Sequence, residues 1–122
     1  MHEFAITQAI LDTALHHAEQ AQVTRVRALY LRLGELSGLA QDSIQYYFEL
    51  ISQGTRAEGA ELHFERFPPR ARCRVCGTTR DLAFSPNEWL RAFAKLGTCA
   101  CGKNDYELDG GTGCFLDEME TE

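Results

Sequence analysis

The sequence lacks any long run of apolar residues, and acidic residues outnumber basic ones. No apolar stretch approaches the roughly 20 residues that a membrane-spanning helix needs. The first residues show no basic patch followed by an apolar segment, so no secretion signal is expected. The formal net charge of −6 disfavours non-specific binding to nucleic acid or to anionic lipid. We therefore expect a cytoplasmic protein that binds neither a membrane nor nucleic acid.

Sequence motifs of enzymes are also missing. The chain contains no His-Glu-x-x-His motif, no glycine-rich phosphate loop and no pattern that indicates a Ser-His-Asp triad. Cysteine is absent from the first half of the chain, and all five cysteines lie in the second half. In a reducing compartment, clustered cysteines bind metal more often than they form disulfides. The sequence therefore favours a metal-binding protein that is not an enzyme.

The first half of the chain alternates between helical and strand patterns. Apolar residues recur at helical spacing over 4–21 and 42–53, and alternating patterns predict strands at 25–33 and 60–67. A further short strand is predicted near 114–119. We therefore expect an α+β fold in which two helices cover one face of a small sheet of about three strands.

The segment 70–106 differs in composition, because arginine, cysteine and glycine replace the periodic apolar residues. Pro68-Pro69 ends the preceding strand, since proline cannot donate to a strand ladder. Within the segment, Ser85-Pro86 predicts the start of a short helix that carries Trp89. We expect a zinc-ribbon-like zinc-binding domain at 70–106, inserted into an α+β domain made of residues 1–69 plus 107–122.

Four of the cysteines form two short pairs, Cys73-x-x-Cys76-Gly77 and Cys99-Ala100-Cys101-Gly102. Each pair can present two thiolates on a tight turn, and four thiolates form a closed tetrahedral site for structural Zn²⁺. The fifth cysteine, Cys114, lies in the predicted last strand and fits a buried thiol. If the short Cys99/Cys101 pair cannot close the site, Cys114 is the reserve zinc ligand.

The chain begins with Met1-His2-Glu3. The α-amine of Met1, the amide nitrogen of His2 and the His2 imidazole can chelate one ion in fused rings, and Glu3 can add a carboxylate or a second amide nitrogen. Nitrogen donors in a plane suit Ni(II) or Cu(II) better than zinc. A histidine at position 2 can equally be a solvent-facing, inert side chain, so chemistry alone leaves this site open.

An arginine cluster flanks the first cysteine pair and supplies a competing hypothesis. Its members are Arg66, Arg70, Arg72, Arg74 and Arg80. Such a cluster is usually a solvated strip, but it can also dock an acidic protein or nucleic acid. The alternative function is therefore a zinc-ribbon module that binds protein or nucleic acid, although the overall acidic charge argues against nucleic acid.

The order of these motifs resembles the hydrogenase nickel-incorporation accessory family, HypA/HybF, along essentially the whole chain. The motifs that carry the resemblance are Met1-His2-Glu3, Leu31-Arg32-Leu33-Gly34 with Leu36-Ser37, Tyr46-Tyr47-Phe48, Glu58-Gly59-Ala60, Cys73-x-x-Cys76-Gly77 and Cys101-Gly102. The chain departs from the family in its second cysteine pair, which is Cys-x-Cys instead of Cys-x-x-Cys. The stretch between the two pairs is also longer than in the family.

The resemblance implies a nickel metallochaperone that binds Ni²⁺ at its N-terminus through His2, the Met1 amine and Glu3, and keeps a separate structural zinc site. It implies insertion of nickel into the large subunit of [NiFe]-hydrogenase during maturation. The implied partners are that subunit and a HypB-type GTPase, which is a different chain; some relatives also serve urease. The assembly is left open between a monomer and a homodimer.

Overall fold

The computed structural model describes residues 2–82 and 88–122, except for the side chain of His2. The elements in chain order are α1 (His2–Gln20), β1 (Val26–Gly34), α2 (Gln41–Ile51), β2 (Glu61–Phe67), β3 (Arg70–Cys73), β4 (Thr79–Asp81), α3 (Glu88–Ala94), β5 (Tyr106–Asp109) and β6 (Cys114–Thr121). Within the described ranges, none of the helices has the length and apolar character needed to cross a bilayer.

The chain folds into two compact units. The first contains the chain up to Arg32, Gly38–Glu65 and Cys114–Glu122, and the second contains Leu33–Ser37 and Arg66–Gly113. The predicted zinc-binding segment, 70–106, falls inside the second unit. The domain limits drawn from the sequence, at 69/70 and 106/107, stay a prediction.

The first unit is an α+β structure built on a three-stranded sheet in which β1 lies between β2 and β6. One face of α1, including Ile10, Leu11 and Ala14, packs with Leu29 and Leu31 of β1 in a single hydrophobic core. The helical spacing of the apolar residues in α1 places them on one stripe, and alternation in β1 turns its leucines to the same side. The predicted fold class is confirmed, including the return of the last strand to the first sheet.

The second unit contains a small antiparallel sheet that the sequence did not predict. Strand β3 lies in its centre, pairing Ala71 with Arg80 of β4 and with Leu108 of β5. These strands are only three or four residues long, too short for an alternating pattern to be recognised. The short helix predicted around Trp89 is present as α3, whereas its predicted start at Ser85-Pro86 lies outside the described residues.

Candidate metal centre

The first cysteine pair lies on a turn that follows β3. Cys73, the last residue of that strand, donates its amide hydrogen to the carbonyl of Thr78 at 2.9 Å. Inside this loop, the amide of Gly77 donates to the carbonyl of Cys73, also at 2.9 Å. These two hydrogen bonds close the turn tightly, so the side chains of Cys73 and Cys76 emerge next to each other.

The second cysteine pair lies on a turn of the same kind that is one residue tighter. The amide of Cys99 donates to the carbonyl of Lys103, and the amide of Gly102 donates back to the carbonyl of Cys99, both at 2.8 Å. Each of these bonds spans one residue fewer than its counterpart in the first turn. Gly102 has a φ of 93°, which other residues rarely adopt. The shorter turn therefore compensates for the residue missing from the Cys-x-Cys pair.

The two turns bring four sulfur atoms together. Cys73 Sγ lies 3.7 Å from Cys101 Sγ, and Cys76 Sγ lies 3.6 Å from Cys99 Sγ. All four sulfurs lie within 4.8 Å of one another. A tetrahedral zinc ion with Zn–S bonds of about 2.3 Å requires S–S separations of about 3.8 Å. The arrangement of the sulfurs therefore fits a tetrathiolate zinc site.

The surrounding polar groups favour thiolates in the first turn. The hydroxyl of Thr78, followed by its backbone amide and by Cys99, lowers the pKa of Cys76 to about 6. The backbone amides of Cys76 and Val75 lower the pKa of Cys73. Both effects arise because a donated hydrogen bond stabilises the charged form of the thiol.

The second turn contains a thiol that resists ionisation. The backbone amide of Lys103 lowers the pKa of Cys101, but burial and the three neighbouring thiols outweigh it and raise the pKa to about 11. Four thiolates this close together would repel one another strongly without a cation between them. A divalent ion would remove that repulsion, so the cluster is chemically suited to a metal.

Cys114 is not a member of this four-sulfur group. It begins β6, is half-buried, and packs against the hydrophobic core of the first unit. Burial raises the pKa of its thiol. This environment matches the buried thiol expected for Cys114 and gives no support to its role as reserve ligand.

At the amino terminus, Met1 and the side chain of His2 lie outside the described residues, so nickel ligation there stays a prediction. Glu3 is described: its carboxylate accepts a hydrogen bond of 3.1 Å from the amide of Ala40, and its carbonyl accepts one of 2.5 Å from the buried hydroxyl of Thr7. Ala40 is the N-cap residue of α2 and makes no side-chain cap hydrogen bond. The contact with Ala40 spans 37 positions, and no local sequence signal indicates it.

The arginine cluster is largely engaged within the protein. Three of its members face carboxylates: Arg66 pairs with Glu35, Arg72 with Glu107 and Arg74 with Asp105. Arg80 donates a hydrogen bond to the carbonyl of Leu96 at 3.3 Å. Carboxylates interspersed among the arginines weaken the electrostatic footprint that binding to nucleic acid requires.

A three-stranded α+β unit, carried in one chain with a unit that gathers four cysteine sulfurs, defines a small α+β protein whose cysteine cluster could hold a metal ion. Residues 1–121 match the family described as "Hydrogenase/urease nickel incorporation, metallochaperone, hypA". The chain belongs to this family, which is a family of metallochaperones and not of enzymes.

Individual relatives agree with this assignment. A hydrogenase maturation factor HypA from Nostoc punctiforme is 36% identical over 122 residues, covering 100% of this chain and 96% of the relative. One from Thermococcus gammatolerans is 35% identical, covering 95% and 92%. A Dehalococcoides mccartyi relative is 44% identical over 79 residues, a match covering 65% of this chain and only 66% of the relative.

Two solved structures share the fold. "Solution structure of HypA protein" superposes with a TM-score of 0.74, covering 100% of this chain and 97% of the other. "Solution structure of the Ni metallochaperone HypA from Helicobacter pylori" superposes with a TM-score of 0.65, covering 98% and 96%. Both are 17% identical in sequence, so they support the fold alone.

Proposed function

We propose that this chain is a cytoplasmic nickel metallochaperone that binds Ni(II) at its N-terminus and helps to insert it into the large subunit of [NiFe]-hydrogenase. The observation that carries the proposal is the family match, which begins at residue 1 and therefore includes Met1-His2-Glu3. The proposed ligands are the His2 imidazole, the Met1 amine and backbone amide nitrogens. The Glu3 carboxylate already binds the start of α2, so we assign its amide nitrogen instead.

The start of α1 suits this type of ligation. The first amides of a helix have no intrahelical acceptor, so the amide of His2 can release its proton to solvent and bind a metal through nitrogen without breaking a helical hydrogen bond. Nitrogen donors in a plane are the set that Ni(II) prefers over Zn(II). A terminal chelate can also open one donor at a time, which allows the ion to be transferred.

We further propose that the four-sulfur cluster holds Zn²⁺ as a structural ion. Its support is the agreement between the sulfur separations and a tetrahedral zinc–thiolate site. A closed tetrathiolate offers no open position for an exchanging ligand, which makes it unsuitable for cargo. Zinc and nickel therefore have different sites and different roles.

The partners in this proposal are the hydrogenase large subunit and a HypB-type GTPase. A separate GTPase is required, because the sequence contains no phosphate-binding loop. The acidic net charge and the ion-paired arginines argue against nucleic acid as the partner. The assembly is a monomer or a homodimer.

The deciding experiment replaces His2 by alanine and measures bound nickel and zinc in the purified protein. His2→Ala should lose nickel and retain zinc, because its imidazole anchors the nickel chelate. His16→Ala is the matched control, since it removes an exposed histidine from the same helix and should retain both metals. Extending the chain by one residue before Met1 should also abolish nickel binding, because it displaces the α-amine from the chelate.

The same variants can be tested in cells. His2→Ala should block hydrogenase activation, with partial recovery in excess nickel, and His16→Ala should not. If His2→Ala binds nickel as tightly as the wild type, the proposed N-terminal site is wrong.

A further inference from the structure

The outer face of the first sheet carries a concentration of carboxylates around two aromatic rings. Leu62 and Phe64 of β2 and Leu116 of β6 pack against the core, so the residues directly beside them in each strand point to the opposite side. Met119 also packs against the core, so the alternation of β6 is interrupted after Asp117. Glu118 and Glu120 are placed by their contacts, because Glu120 accepts a hydrogen bond from Tyr30 and Glu118 lines a cleft with Tyr30 and His63. That outer face carries Tyr30 and Arg32 from β1, Glu61, His63 and Glu65 from β2, and Phe115, Asp117, Glu118 and Glu120 from β6. We refer to these residues as the acidic sheet face.

The centre of the acidic sheet face is a stacked pair of rings. The rings of Tyr30 and His63 lie 4.7 Å apart and are nearly parallel, at 11°. The hydroxyl of Tyr30 donates to Glu120 at 3.1 Å, and His63 lies 3.2 Å from Glu61. The hydrogen bond to Glu120, followed by burial and by the charges of Glu120, Glu61 and Glu118, raises the pKa of Tyr30. These contacts hold both rings in place, with carboxylates on either side.

Next to the rings is a cleft of about 240 Å³, whose lining includes Tyr30, Arg32, His63, Glu65, Asp117 and Glu118. Three of these residues carry a carboxylate and one carries a guanidinium, so the cleft has an excess of negative charge. Arg25 and Arg27 belong to a different cleft, with Glu61 and Glu120. The face is therefore most acidic towards Glu65, Asp117 and Glu118.

A surface of this composition is complementary to arginine. A guanidinium group stacks on aromatic rings and donates two parallel hydrogen bonds to a carboxylate, whereas an ammonium group offers only a compact charge. The exposed rings of Tyr30 and Phe115, at 36% and 53% exposure, provide the aromatic surface. The same negative charge repels nucleic acid and anionic lipid, so both are poor candidates for this face.

We propose that the acidic sheet face is a docking surface for an arginine-bearing segment of a protein partner. Charge complementarity carries this proposal, which does not depend on where nickel or zinc binds. Arginine side chains of the partner stack against the Tyr30–His63 pair. Their guanidinium groups donate hydrogen bonds to Glu118, Glu120 and the neighbouring carboxylates. The aromatic pair distinguishes arginine from lysine, and the carboxylates supply the attraction.

The test uses isotope-labelled, full-length, zinc-loaded protein and records its amide chemical shifts by NMR. The protein is titrated with a hexapeptide that has capped termini and contains three arginines. A second titration uses the same peptide with lysine in place of each arginine. The arginine peptide should shift the amides of Tyr30, His63 and Glu120, and should bind roughly fivefold or more tightly than the lysine peptide. The double variant Glu118→Gln/Glu120→Gln should weaken binding of the arginine peptide by about fivefold to tenfold.

Control variants distinguish binding at this surface from a non-specific effect of the negative charge of the protein. Glu19→Gln/Glu49→Gln removes two exposed carboxylates from the helices and should leave the affinity unchanged. Tyr30→Phe keeps the ring and should bind, whereas Tyr30→Leu should lose the preference for arginine. Equal weakening by the two double variants, or equal binding of the two peptides, would overturn the proposal.

Two further outcomes would also overturn it. Calcium or nickel alone, at the same ionic strength, could produce the same amide shifts, which would indicate a cation site. Alternatively, the wild-type protein could sediment as a dimer that Glu118→Gln/Glu120→Gln dissociates, in which case the face is covered by a second copy of this chain.

Discussion

The thiols of the four-sulfur cluster differ in how readily they ionise, and this difference has a measurable consequence. Cys76, with a pKa of about 6, is already a thiolate at neutral pH, whereas Cys101, with a pKa of about 11, is protonated. Zinc binds the thiolate form and displaces the protons that remain. The number of protons released therefore depends on pH.

We predict that the apparent affinity of the protein for zinc falls as the pH is lowered, because protons compete with the ion for the thiolates. Competition with a chelator of known affinity, repeated at several pH values, measures the apparent affinity. An affinity that does not change on acidification would contradict ligation by thiolates.

Gly34 allows two backbone segments of the second unit to approach closely. A methyl group on Gly34 would overlap the carbonyl of Gly111, to which the amide of Leu36 donates a hydrogen bond of 2.7 Å. Gly34→Ala should lower the free energy of unfolding by about 1–3 kcal/mol, the usual cost of overpacking. Denaturant unfolding measures the loss, and hydrogen exchange should show reduced protection of the Leu36 amide. Unchanged protection would mean that the backbone accommodates the methyl group.

At the scale of elements, the first turn of α1 is tied to the start of α2. The Glu3 carboxylate takes the place of a side-chain cap by accepting the amide of Ala40. A helix cap typically contributes about 1 kcal/mol. Glu3→Ala should therefore destabilise the nickel-free protein by about that amount, and Glu3→Gln, which keeps an acceptor oxygen, should lose less. A Glu3→Ala variant as stable as the wild type in denaturant unfolding would show that this contact contributes nothing.

The two cysteine turns show how elements adapt to a change in sequence. The second pair has one residue fewer than the first, and its turn closes with hydrogen bonds that span one residue fewer. The spacing indicates the type of site, because two thiolates on a tight turn are needed for each half of a tetrahedral centre. It could not indicate whether the shorter turn closes, because that depends on the backbone hydrogen bond from Cys99 to Lys103.

At the scale of the whole molecule, the two units should respond differently to loss of zinc. The second unit has a small sheet and few buried side chains, so binding of zinc by its cysteines is expected to be coupled to its folding. The first unit has its own hydrophobic core.

We predict that a zinc chelator unfolds the second unit and leaves α1 and α2 helical. The fluorescence of Trp89, which is half-buried in α3, should shift to longer wavelength while the helical circular dichroism is retained. Cys73→Ala should reproduce the shift without chelator. Cys114→Ser should retain zinc, because its sulfur packs in the first unit. Unchanged Trp89 fluorescence after zinc removal would show that the unit folds without its metal.

The sequence by itself determined the α+β class and the cysteines that come together. Apolar periodicity is a local property, and it predicted α1, α2, β1, β2 and β6 to within a few residues. Cysteine spacing is local in the same sense, since each pair lies on one turn.

Only the tertiary structure decided the features that join distant residues. Strand β5 joins β3 by pairing Arg70 with Asp109, which are 39 positions apart, so no short window of sequence contains this pairing. The contact of Glu3 with Ala40, the pairing of Arg66 with Glu35 and the assembly of the acidic sheet face have the same origin. In each case the partners are separate in sequence and adjacent in space, because hydrophobic burial and strand pairing, not local propensity, bring them together.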